Sequence, residues 1–508
     1  MRRHFAIALL LLMVWNSTCP AQPEVSSDEA SITIYNQQFA VIRHALPLDL
    51  KAGLNHVEVT DVSAHLEPDS VILRPLDPTQ KLQVVEQNYR NDPLSQQLLL
   101  SLYEGKTIDF EIPGANGARA FVKGKIIRSG YVPHYNAMRT YGQQYYYQQM
   151  AYAQTNEQPV IEVGGRLQFS LPGQPIFPAL ADDTVLKPTL SWELRTDRPG
   201  ASRAEFSYVT GGMNWEADYN LIDPVKGNNL EVVGWVTLDN QSGKTYRSAH
   251  IKLMAGDVNK LQPQSGVVMG AMRDSLDRNE VAMPGVKERA FDEYHLYTLP
   301  NATTLHDRET KQVEFVRADG IQSSTVYLYD GVKIDERYRG WTYDSIRTQS
   351  EYGTAWNPKV WIMQEFKNST ANHLGIPLPK GRMRFYRRDE DGQLQFTGEN
   401  VIDHTPENEL IRVYTGNAFD IVGERHRMNF RVDTDHNWVD EDFQIKLRNH
   451  KKQAVTVRVI EHLYRCDNWE IIRKSDAFKK NDSHTIEFTV QIPADSERLL
   501  SYQVHYTW

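Results

Sequence analysis

Few residues of this 508-residue chain have the spacing that nucleotide chemistry requires. The Gly-Lys-Thr run at 243–245 ends like a phosphate-binding loop, but the position five residues before Gly243 holds Leu238, where that loop needs glycine. The run also follows a strand-like stretch, and its Ser-Gly-Lys sequence is typical of a hairpin turn. We therefore predict a turn here and no nucleotide partner.

An acidic segment from Asp433 to Asn437 begins with the alternating oxygen side chains of a calcium loop. Such a loop needs glycine at its sixth position and glutamate at its twelfth, where this chain has Trp438 and Gln444. The neighbouring acidic residues are more typical of a solvated loop than of a metal site. We predict a solvated acidic loop without a metal ligand, with weak Ca²⁺ affinity, aided by the nearby Asp440, Glu441 and Asp442, as the alternative.

The remaining acidic, histidine and cysteine side chains form no ready-made reaction centre. Asp389–Gly392 has the Asp-Gly ending of a hairpin turn, which would leave its carboxylates in water. The 16 histidines form no HExxH pair or zinc-spaced cluster, and His426 stands in a charged strand entry. No serine lies in a G-x-S-x-G pattern, and Cys466 in a strand-like stretch is typical of a small buried hydrophobe. We predict no catalytic, cofactor-binding or metal-ligating residue and no cofactor.

Composition narrows the class of partner. The formal net charge is −9, and 40% of the residues are hydrophobic, as in a folded globular protein. Nucleic-acid phosphates require clustered lysine and arginine, so this acidic balance argues against a nucleic-acid partner. The length suggests about three domains.

The N-terminus has the features of a cleavable export signal over residues 1–21. A positive stretch, Arg2–His4, precedes an apolar run, Phe5–Trp15, and the small residue Ala21 stands at a cleavage position. The apolar run is shorter than the ~20 residues that span a bilayer. We expect an exported protein, periplasmic or extracellular, with an uncut N-terminal anchor as the alternative and no later transmembrane segment.

The chain has two cysteines, Cys19 and Cys466. A bacterial lipid-attachment signal usually has leucine three residues before the cysteine and a small residue such as Gly, Ala or Ser just before it, where this chain has Asn16 and Thr18. These residues disfavour lipidation of Cys19. Cleavage after Ala21 would leave Cys466 without a partner for an intrachain disulfide.

Alternation of apolar and polar residues, broken by turn residues, predicts an all-β, multidomain fold of sandwiches with a small SH3-like barrel and one short helix. For the helix, we expect Asp92 as the N-cap, Pro93 in the first turn and Gly105 at the end. The predicted ranges are an N-terminal sandwich over 30–85, the helix and barrel over 86–185, a second sandwich over 189–270, a linker or long excursion over 271–320 and a C-terminal sandwich over 321–508.

A tyrosine- and glutamine-rich insertion at 131–158 interrupts the predicted barrel. It has almost no aliphatic residues, so it cannot bury enough apolar area to fold alone. Clustered tyrosines give a large contact area at low entropic cost, which makes Tyr145, Tyr146 and Tyr147 the predicted partner-binding residues. The alternative is a flexible loop with no partner.

Several segments of residues 190–508 resemble a bacterial domain of unknown function that also forms the C-terminal half of mucoidy inhibitor A-like proteins. They include GGMNWEADYNLI, GWVTLDNQSGKTYRSAHIKLMAGDVN and the closing DFQIKLRNHKKQAVTVRVIEHL. The N-terminal ITIYNQQFAVIRHALPLDLKAGLNHVEVTDV looks like the variant of that family without the long coiled coil. The resemblance implies an envelope location and a β-rich fold, and it supplies no catalytic residues.

These features together predict an exported envelope or extracellular protein with a non-catalytic, interacting or structural role. Its expected partner is an unknown protein or polysaccharide of the cell envelope. The alternative is a hydrolase of envelope polysaccharide or peptide whose carboxylates come from separate strands, one of them with a raised pKa. A third class, an assembly subunit, predicts an exposed apolar edge or patch.

Overall fold

The computed structural model describes residues 30–91, 94–114, 118–130, 158–178, 185–225, 227, 229–256, 258–260, 287–291 and 294–508. β-strands dominate these residues, which confirms the predicted all-β class with several sheets. These described residues include two short α-helices, α1 (Gln96–Leu102) and α2 (Tyr343–Thr348). Within the ranges given above, no helix has the length and apolar character needed to cross a membrane.

The strands, in chain order, are β1 (Ser31–Tyr35), β2 (Phe39–Leu50), β3 (Gly53–Thr60), β4 (Ile72–Pro75), β5 (Leu82–Arg90), β6 (Thr107–Pro113), β7 (Arg119–Arg128), β8 (Val160–Val163), β9 (Arg166–Gln168), β10 (Gln174–Ile176), β11 (Thr189–Thr196), β12 (Gly200–Gly211), β13 (Met213–Asp223), β14 (Asn229–Asn240), β15 (Tyr246–Ala255), β16 (Lys287–Phe291), β17 (Tyr294–Thr298), β18 (Thr303–Leu305), β19 (Glu309–Asp330), β20 (Lys359–Lys367), β21 (Gly381–Arg388), β22 (Leu394–Ile402), β23 (Leu410–Asp433), β24 (Trp438–Asn449), β25 (Val455–His462), β26 (Asn468–Lys474), β27 (Phe478–Lys480), β28 (Thr485–Ile492) and β29 (Ser496–Thr507).

The chain forms two compact units. The first contains Ile42–Thr210 and Tyr246–Ser248, and the second contains Ser31–Val41, Gly211–Thr245 and Ala249–Trp508. Both are therefore assembled from separate stretches of sequence, whereas the sequence analysis placed contiguous domains along the chain. The difference arises because strands from distant parts of the sequence pair in one sheet. The alternation of apolar and polar residues within a strand does not indicate which other strand it pairs with.

In the first unit, β3 and β5 both pair with β11 to form a three-stranded antiparallel sheet. Strand β11 lies in the predicted second sandwich and β3 in the predicted first, so the two ranges share one sheet. Trp192 of β11 packs edge-on against Phe206, with ring centroids 5.2 Å apart, and donates through Nε1 to Gln87 at 2.8 Å. These buried rings form the centre of this part of the unit.

The region predicted as a small barrel forms a five-stranded antiparallel sheet in the order β10-β6-β7-β8-β9. Its core is apolar and consists of Leu100, Tyr103, Ile108, Phe110, Ile126 and Ile161. Helix α1 supplies the first of these and has Ser95 as its N-cap, whose hydroxyl accepts from the Leu98 backbone N–H at 3.1 Å. The predicted cap residues 92 and 93 lie outside the described residues, as do 131–157 of the insertion. Gly105 follows the helix at φ +80°, the left-handed conformation expected after a helix end.

In the second unit, a long sheet runs in the order β22-β21-β13-β14-β19-β20-β23-β24-β29-β26. Strand β19 has 22 residues, of which the first half pairs with β14 and the second half with β20 and β25. Because β25 also pairs with β28, a second layer faces β24 and β29. Buried residues of these strands share one core, including Val457, Phe488, Ile445 and Leu500. We call this part, built from β19 onward, the C-terminal sandwich.

Two stretches differ from the sequence expectation. Residues 287–320, expected within a linker or excursion, contain β16, β17, β18 and the first half of β19. This half of β19 carries five charged residues at half-buried or exposed positions, and these charges concealed the strand: Glu309, Lys311, Glu314, Arg317 and Asp319. Helix α2 was not predicted either. It lies within residues 331–358, which leave the sheet between β19 and β20 and which we call the β19–β20 segment.

Candidate functional site

A buried ion pair lies inside the C-terminal sandwich, at strand positions that otherwise hold apolar side chains. Arg425 of β23 is 3% exposed, and its Nε lies 3.0 and 2.9 Å from the two carboxylate oxygens of fully buried Glu461 on β25. The Tyr502 hydroxyl also donates to Glu461, and the guanidinium lies 3.9 Å above the Phe443 ring. Burial opposes the charge of Arg425, but Glu461 and Tyr502 outweigh burial, so the pKa of Arg425 is raised.

A second set of buried charges is centred on Glu441 of β24. Its Oε2 lies 2.9 Å from Arg465 Nε, and its Oε1 lies 3.1 Å from Arg427 Nη1. Burial, together with the nearby Glu441 charge, raises the pKa of Tyr506 well above its ordinary value. Arg425, Arg427, Glu441, Glu461 and Arg465 are called the arginine–glutamate cluster below.

This cluster fixes the β19–β20 segment to the sandwich. Arg465 donates through Nη1 to Gln349 O at 3.1 Å and through Nη2 to Tyr352 O at 2.9 Å, and it also bonds Ile346 O. Arg425 Nη1 donates to Gly353 O at 3.0 Å. Backbone carbonyls that follow or end α2 therefore find charged donors, and the segment has a defined position because of them.

The fixed segment forms one side of an open groove of about 330 Å³. The backbone holds the groove together, since Asn357 N donates to Gly331 O at 3.0 Å and residues 332 and 356 form an isolated β-bridge. Both groove tryptophans are half-buried and pack edge-on, Trp356 against His426 at 5.5 Å and Trp361 against Tyr414 at 6.2 Å. We call this the tryptophan groove, and its lining residues are Asp330, Val332, Lys333, Trp356, Asn357, Pro358 and Trp361.

An aspartate–histidine pair lies at the edge of this groove. His462 Nε2 is 3.0 Å from Asp330 Oδ2, and the imidazole stacks on Tyr464 at 5.1 Å and an interplanar angle of 3°. The hydrogen bond to Asp330 raises the pKa of His462 against the opposing effect of burial. Asp330 Oδ1 is buried and has no hydrogen-bond partner among the described residues. The carboxylate is thus engaged by histidine and is poorly placed to act as a free base.

A serine, a histidine and an aspartate also meet at the turn before β28. Ser483 Oγ lies 2.8 Å from His484 Nδ1, and His484 Nε2 lies 2.6 Å from Asp467 Oδ1. The side chain of Asp467 is 94% exposed, and the ring atoms are used in the reverse sense to a serine-hydrolase triad, in which Nε2 faces the serine. A water-exposed carboxylate gives little stabilisation to an imidazolium, so this turn does not provide an activated nucleophile.

The predicted acidic loop closes on itself. Asp433 Oδ1 accepts from the backbone N–H groups of Asp435 and His436, each at 3.0 Å, while Oδ2 lies 2.9 Å from His436 Nδ1. The hydrogen bond with the His436 side chain is the main cause of the lowered pKa of Asp433. Across the ranges that the structure describes, no group of three or more His, Cys, Asp and Glu side chains is arranged to hold a metal ion.

The other candidate residues from the sequence analysis lie in turns or next to the core of the C-terminal sandwich. Gly243 lies in a turn at φ +80° and donates to Asp307 Oδ1 at 2.8 Å. The turn at 389–392 connects β21 and β22 through a Gly392 N to Asp389 O bond of 2.9 Å. Cys466 is partly buried against the sandwich core, and its thiol donates to Thr507 O at 3.0 Å. The predicted partner-binding residues 145–147 lie outside the described residues.

Sequence reasoning missed the arginine–glutamate cluster, although a sign of it was present. Along β24 the inward positions carry Val439, Glu441, Phe443, Ile445 and Leu447, so one carboxylate stands in an apolar row. The stretch from Val457 to Arg465 shows the same pattern, with Glu461 and Arg465 in place of apolar residues. A charge at an inward position of a buried strand indicates a buried partner.

No protein-family model matches this chain, and no curated protein sequence matches it. The resemblance to mucoidy inhibitor A-like proteins therefore remains an expectation drawn from the sequence.

Proposed function

We propose that this protein is an exported, non-catalytic binding protein of the cell envelope, and that it binds its partner in the tryptophan groove. The observation that carries the proposal is the pair of half-buried indoles, Trp356 and Trp361, lining an open groove of about 330 Å³. Tryptophan is enriched among the residues that contribute most to binding, because its large surface loses water on contact. A resemblance to envelope proteins points to the same compartment.

The state of the buried carboxylates supports binding over hydrolysis. A general acid needs a carboxyl group whose pKa is raised. Here Glu441 and Glu461 are each engaged by arginine, and so is Glu365, which lies 3.2 Å from Arg458 and also bonds Arg412. The carboxyl groups of the described residues whose pKa is clearly shifted are exposed or half-buried, and each of them has a lowered pKa, namely Asp77, Glu309, Glu314, Glu424, Asp433 and Asp482.

The test separates binding from turnover. The full-length protein, with its natural leader, is expressed and immobilised, and isolated envelope polysaccharide and peptide fractions are passed over it. We expect saturable retention of one fraction without new reducing ends or new amino termini. Release of products by the wild-type protein, abolished in a folded Asp330→Asn variant, would instead establish the hydrolase.

Export has its own measurement. Mass spectrometry of the protein from fractionated cells should find a mature chain starting at Gln22, after cleavage behind Ala21. Recovery of the uncleaved chain from the cytoplasm would contradict the proposed compartment. A lipid on Cys19 would place the protein at a membrane surface and leave the groove hypothesis intact.

A second candidate function, assembly subunit, is favoured by one observation. The strand β22 ends the hydrogen-bonded order of the long sheet and exposes Leu394, Phe396 and Val401, the last two at 57%. Exposed apolar residues on an edge strand favour pairing with another chain. Light scattering of the purified protein tests this function, since a monomer at micromolar concentration would remove self-assembly through this edge.

A further inference from the structure

We infer that the ligand of the tryptophan groove is a glycan chain, held by stacking of its sugar rings on Trp356 and Trp361. The inference rests on the proposed binding function and names its ligand class. It follows from the shape of the groove and from the charges around it.

The groove is lined by two half-buried indole side chains and by the polar side chains of Lys333 and Asn357. A pyranose ring presents C–H groups on one face and hydroxyl groups around its edge, so it matches an indole with hydrogen-bonding groups at its border. Each indole packs edge-on against a neighbour, Trp356 against His426 and Trp361 against Tyr414, which restricts the rotamer freedom to be lost on binding. The groove is open, which allows a chain to continue beyond the bound units.

The charges argue against a cationic ligand. Asp330 is the acidic residue of the groove, but its Oδ2 is engaged by His462 and its Oδ1 is buried away from solvent. Indoles can bind a methylated ammonium group or an arginine by themselves, but here the exposed Lys333 would place a like charge beside such a ligand. The groove therefore suits an uncharged or acidic ligand better than a basic one.

The accessible polar groups of the groove are donors. Lys333 is exposed and has no carboxylate within ion-pair distance in the described part of the chain. Asn357 uses its side-chain oxygen to accept from Lys359 N at 3.1 Å, which leaves its amide N–H groups as the donors. Ring oxygens, hydroxyls and uronate carboxylates are acceptors for both side chains. Donors and indole side chains in one groove thus match an acceptor-rich sugar chain.

The experiment is titration calorimetry of the full-length protein with two probes, a neutral hexamer of N-acetylglucosamine and a hexamer of galacturonate. We expect at least one to bind. Trp356→Leu and Trp361→Leu should each weaken binding about tenfold, because an aromatic stacking partner is lost. Trp361→Phe should retain most of the affinity. Lys333→Gln should weaken only the galacturonate hexamer.

Control variants distinguish a loss of glycan contact in the groove from unfolding and from binding elsewhere on the protein. Phe121→Leu removes an aromatic ring that is 60% exposed on the five-stranded sheet, and it should leave glycan affinity unchanged. Thermal unfolding checks each tryptophan variant, and where a leucine variant fails to fold, the galacturonate affinity of the variant at exposed Lys333, Lys333→Gln, serves as the test of the groove. Glycan binding that survives both leucine variants would place the glycan elsewhere and overturn the inference.

Two further outcomes separate this inference from the function on which it rests. If neither hexamer binds but an envelope fraction is retained and is lost in Trp361→Leu, the glycan inference fails and the binding function stands. Retention of a proline-rich or other peptide through the groove would likewise overturn the glycan. If the wild-type protein retains no envelope fraction and binds neither hexamer, the proposed function fails with it.

Discussion

The interiors of two strand-rich regions, the five-stranded sheet and the C-terminal sandwich, differ in chemistry. The core of the five-stranded sheet consists of apolar side chains such as Phe110, Ile126 and Ile161, which require no hydrogen-bonding or charged partner when buried. The C-terminal sandwich buries an arginine–glutamate cluster among equally apolar neighbours.

The difference teaches what each interior specifies. Apolar burial stabilises a sheet roughly in proportion to the area removed from water, with little directional preference. Buried guanidinium groups make directional bonds, and those of Arg425 and Arg465 end on carbonyls of the β19–β20 segment. The ionic interior therefore positions the β19–β20 segment and, through it, one side of the tryptophan groove. Apolar contacts lack this directional preference, so an apolar interior would define the position of the segment less closely.

The largest expected effect comes from breaking the buried pair. Glu461→Gln should lower the free energy of unfolding by about 3–5 kcal/mol, because buried Arg425 loses the carboxylate to which it is directly bonded. Denaturant titration followed by tryptophan fluorescence measures it. The double variant Arg425→Met/Glu461→Leu should recover most of the loss, since no unpaired charge remains. A loss below about 1 kcal/mol in the single variant would erase the distinction between the two interiors.

The next effect tests the positioning role. Arg465→Lys keeps the charge near Glu441 but cannot reach the carbonyls of residues 346, 349 and 352 together, because lysine has one donor group on a flexible stem. We expect a loss of roughly 2–3 kcal/mol and faster amide hydrogen exchange across 343–353. The control Arg431→Lys alters an exposed pair with Asp440 and should change stability by less than about 1 kcal/mol. Unchanged exchange in Arg465→Lys would mean that the segment is held by other contacts.

A substitution in the apolar core of the five-stranded sheet should lower the free energy of unfolding by less than a substitution in the arginine–glutamate cluster. Ile126→Val removes one methylene from a side chain that is fully buried, and it should cost about 0.5–1.5 kcal/mol. Hydrogen exchange in the five-stranded sheet should increase while that of 343–353 stays unchanged, because the change is local packing. A loss equal to that of Glu461→Gln would show that directionality adds nothing to what burial already provides.

The sequence predicts the strands of both regions but not the ion pairs inside the C-terminal sandwich. Alternation is visible along β24, so strand, sheet face and fold class are predictable from Val439, Phe443 and Ile445. The partner of Glu441 is not, because Arg465 lies on a different stretch of chain and only sheet register brings the two together. The sequence could flag an inward charge, but it could not identify the arginine that pairs with it.

The groove was beyond sequence reasoning for a related reason. Trp356 and Trp361 stand on either side of the start of β20, and nothing in their spacing indicates a common surface. Their surface depends on the path of the β19–β20 segment, which arginines from β23 and from the stretch after β25 determine. Helix α2, only six residues long, escaped prediction because tertiary bonds rather than helix propensity hold it in place.

The smallest effect concerns pH and the edge of the sandwich. His462 gains a hydrogen bond to Asp330 and has a raised pKa in the folded protein, against an ordinary value of 6.5 when unfolded. The folded state therefore binds more protons than the unfolded state as pH rises above that value. The stabilisation is fully present below pH 6.5 and declines as pH rises through the folded pKa of His462. Asp330, Glu461 and Asp482 all favour the charged imidazole, while burial opposes it.

Unfolding free energies measured from about pH 6 to about pH 9 should show this decline in the wild-type protein. His462→Gln should remove that part of the dependence, because glutamine keeps a hydrogen-bond donor for Asp330 but does not titrate. Ile126→Val, which alters the apolar interior, should keep the full wild-type slope. If the unfolding free energy of His462→Gln depends on pH as that of the wild type does, the histidine–aspartate pair contributes no proton-linked stability. The stabilising ionic interactions considered in the sandwich would then be those of its buried arginines alone.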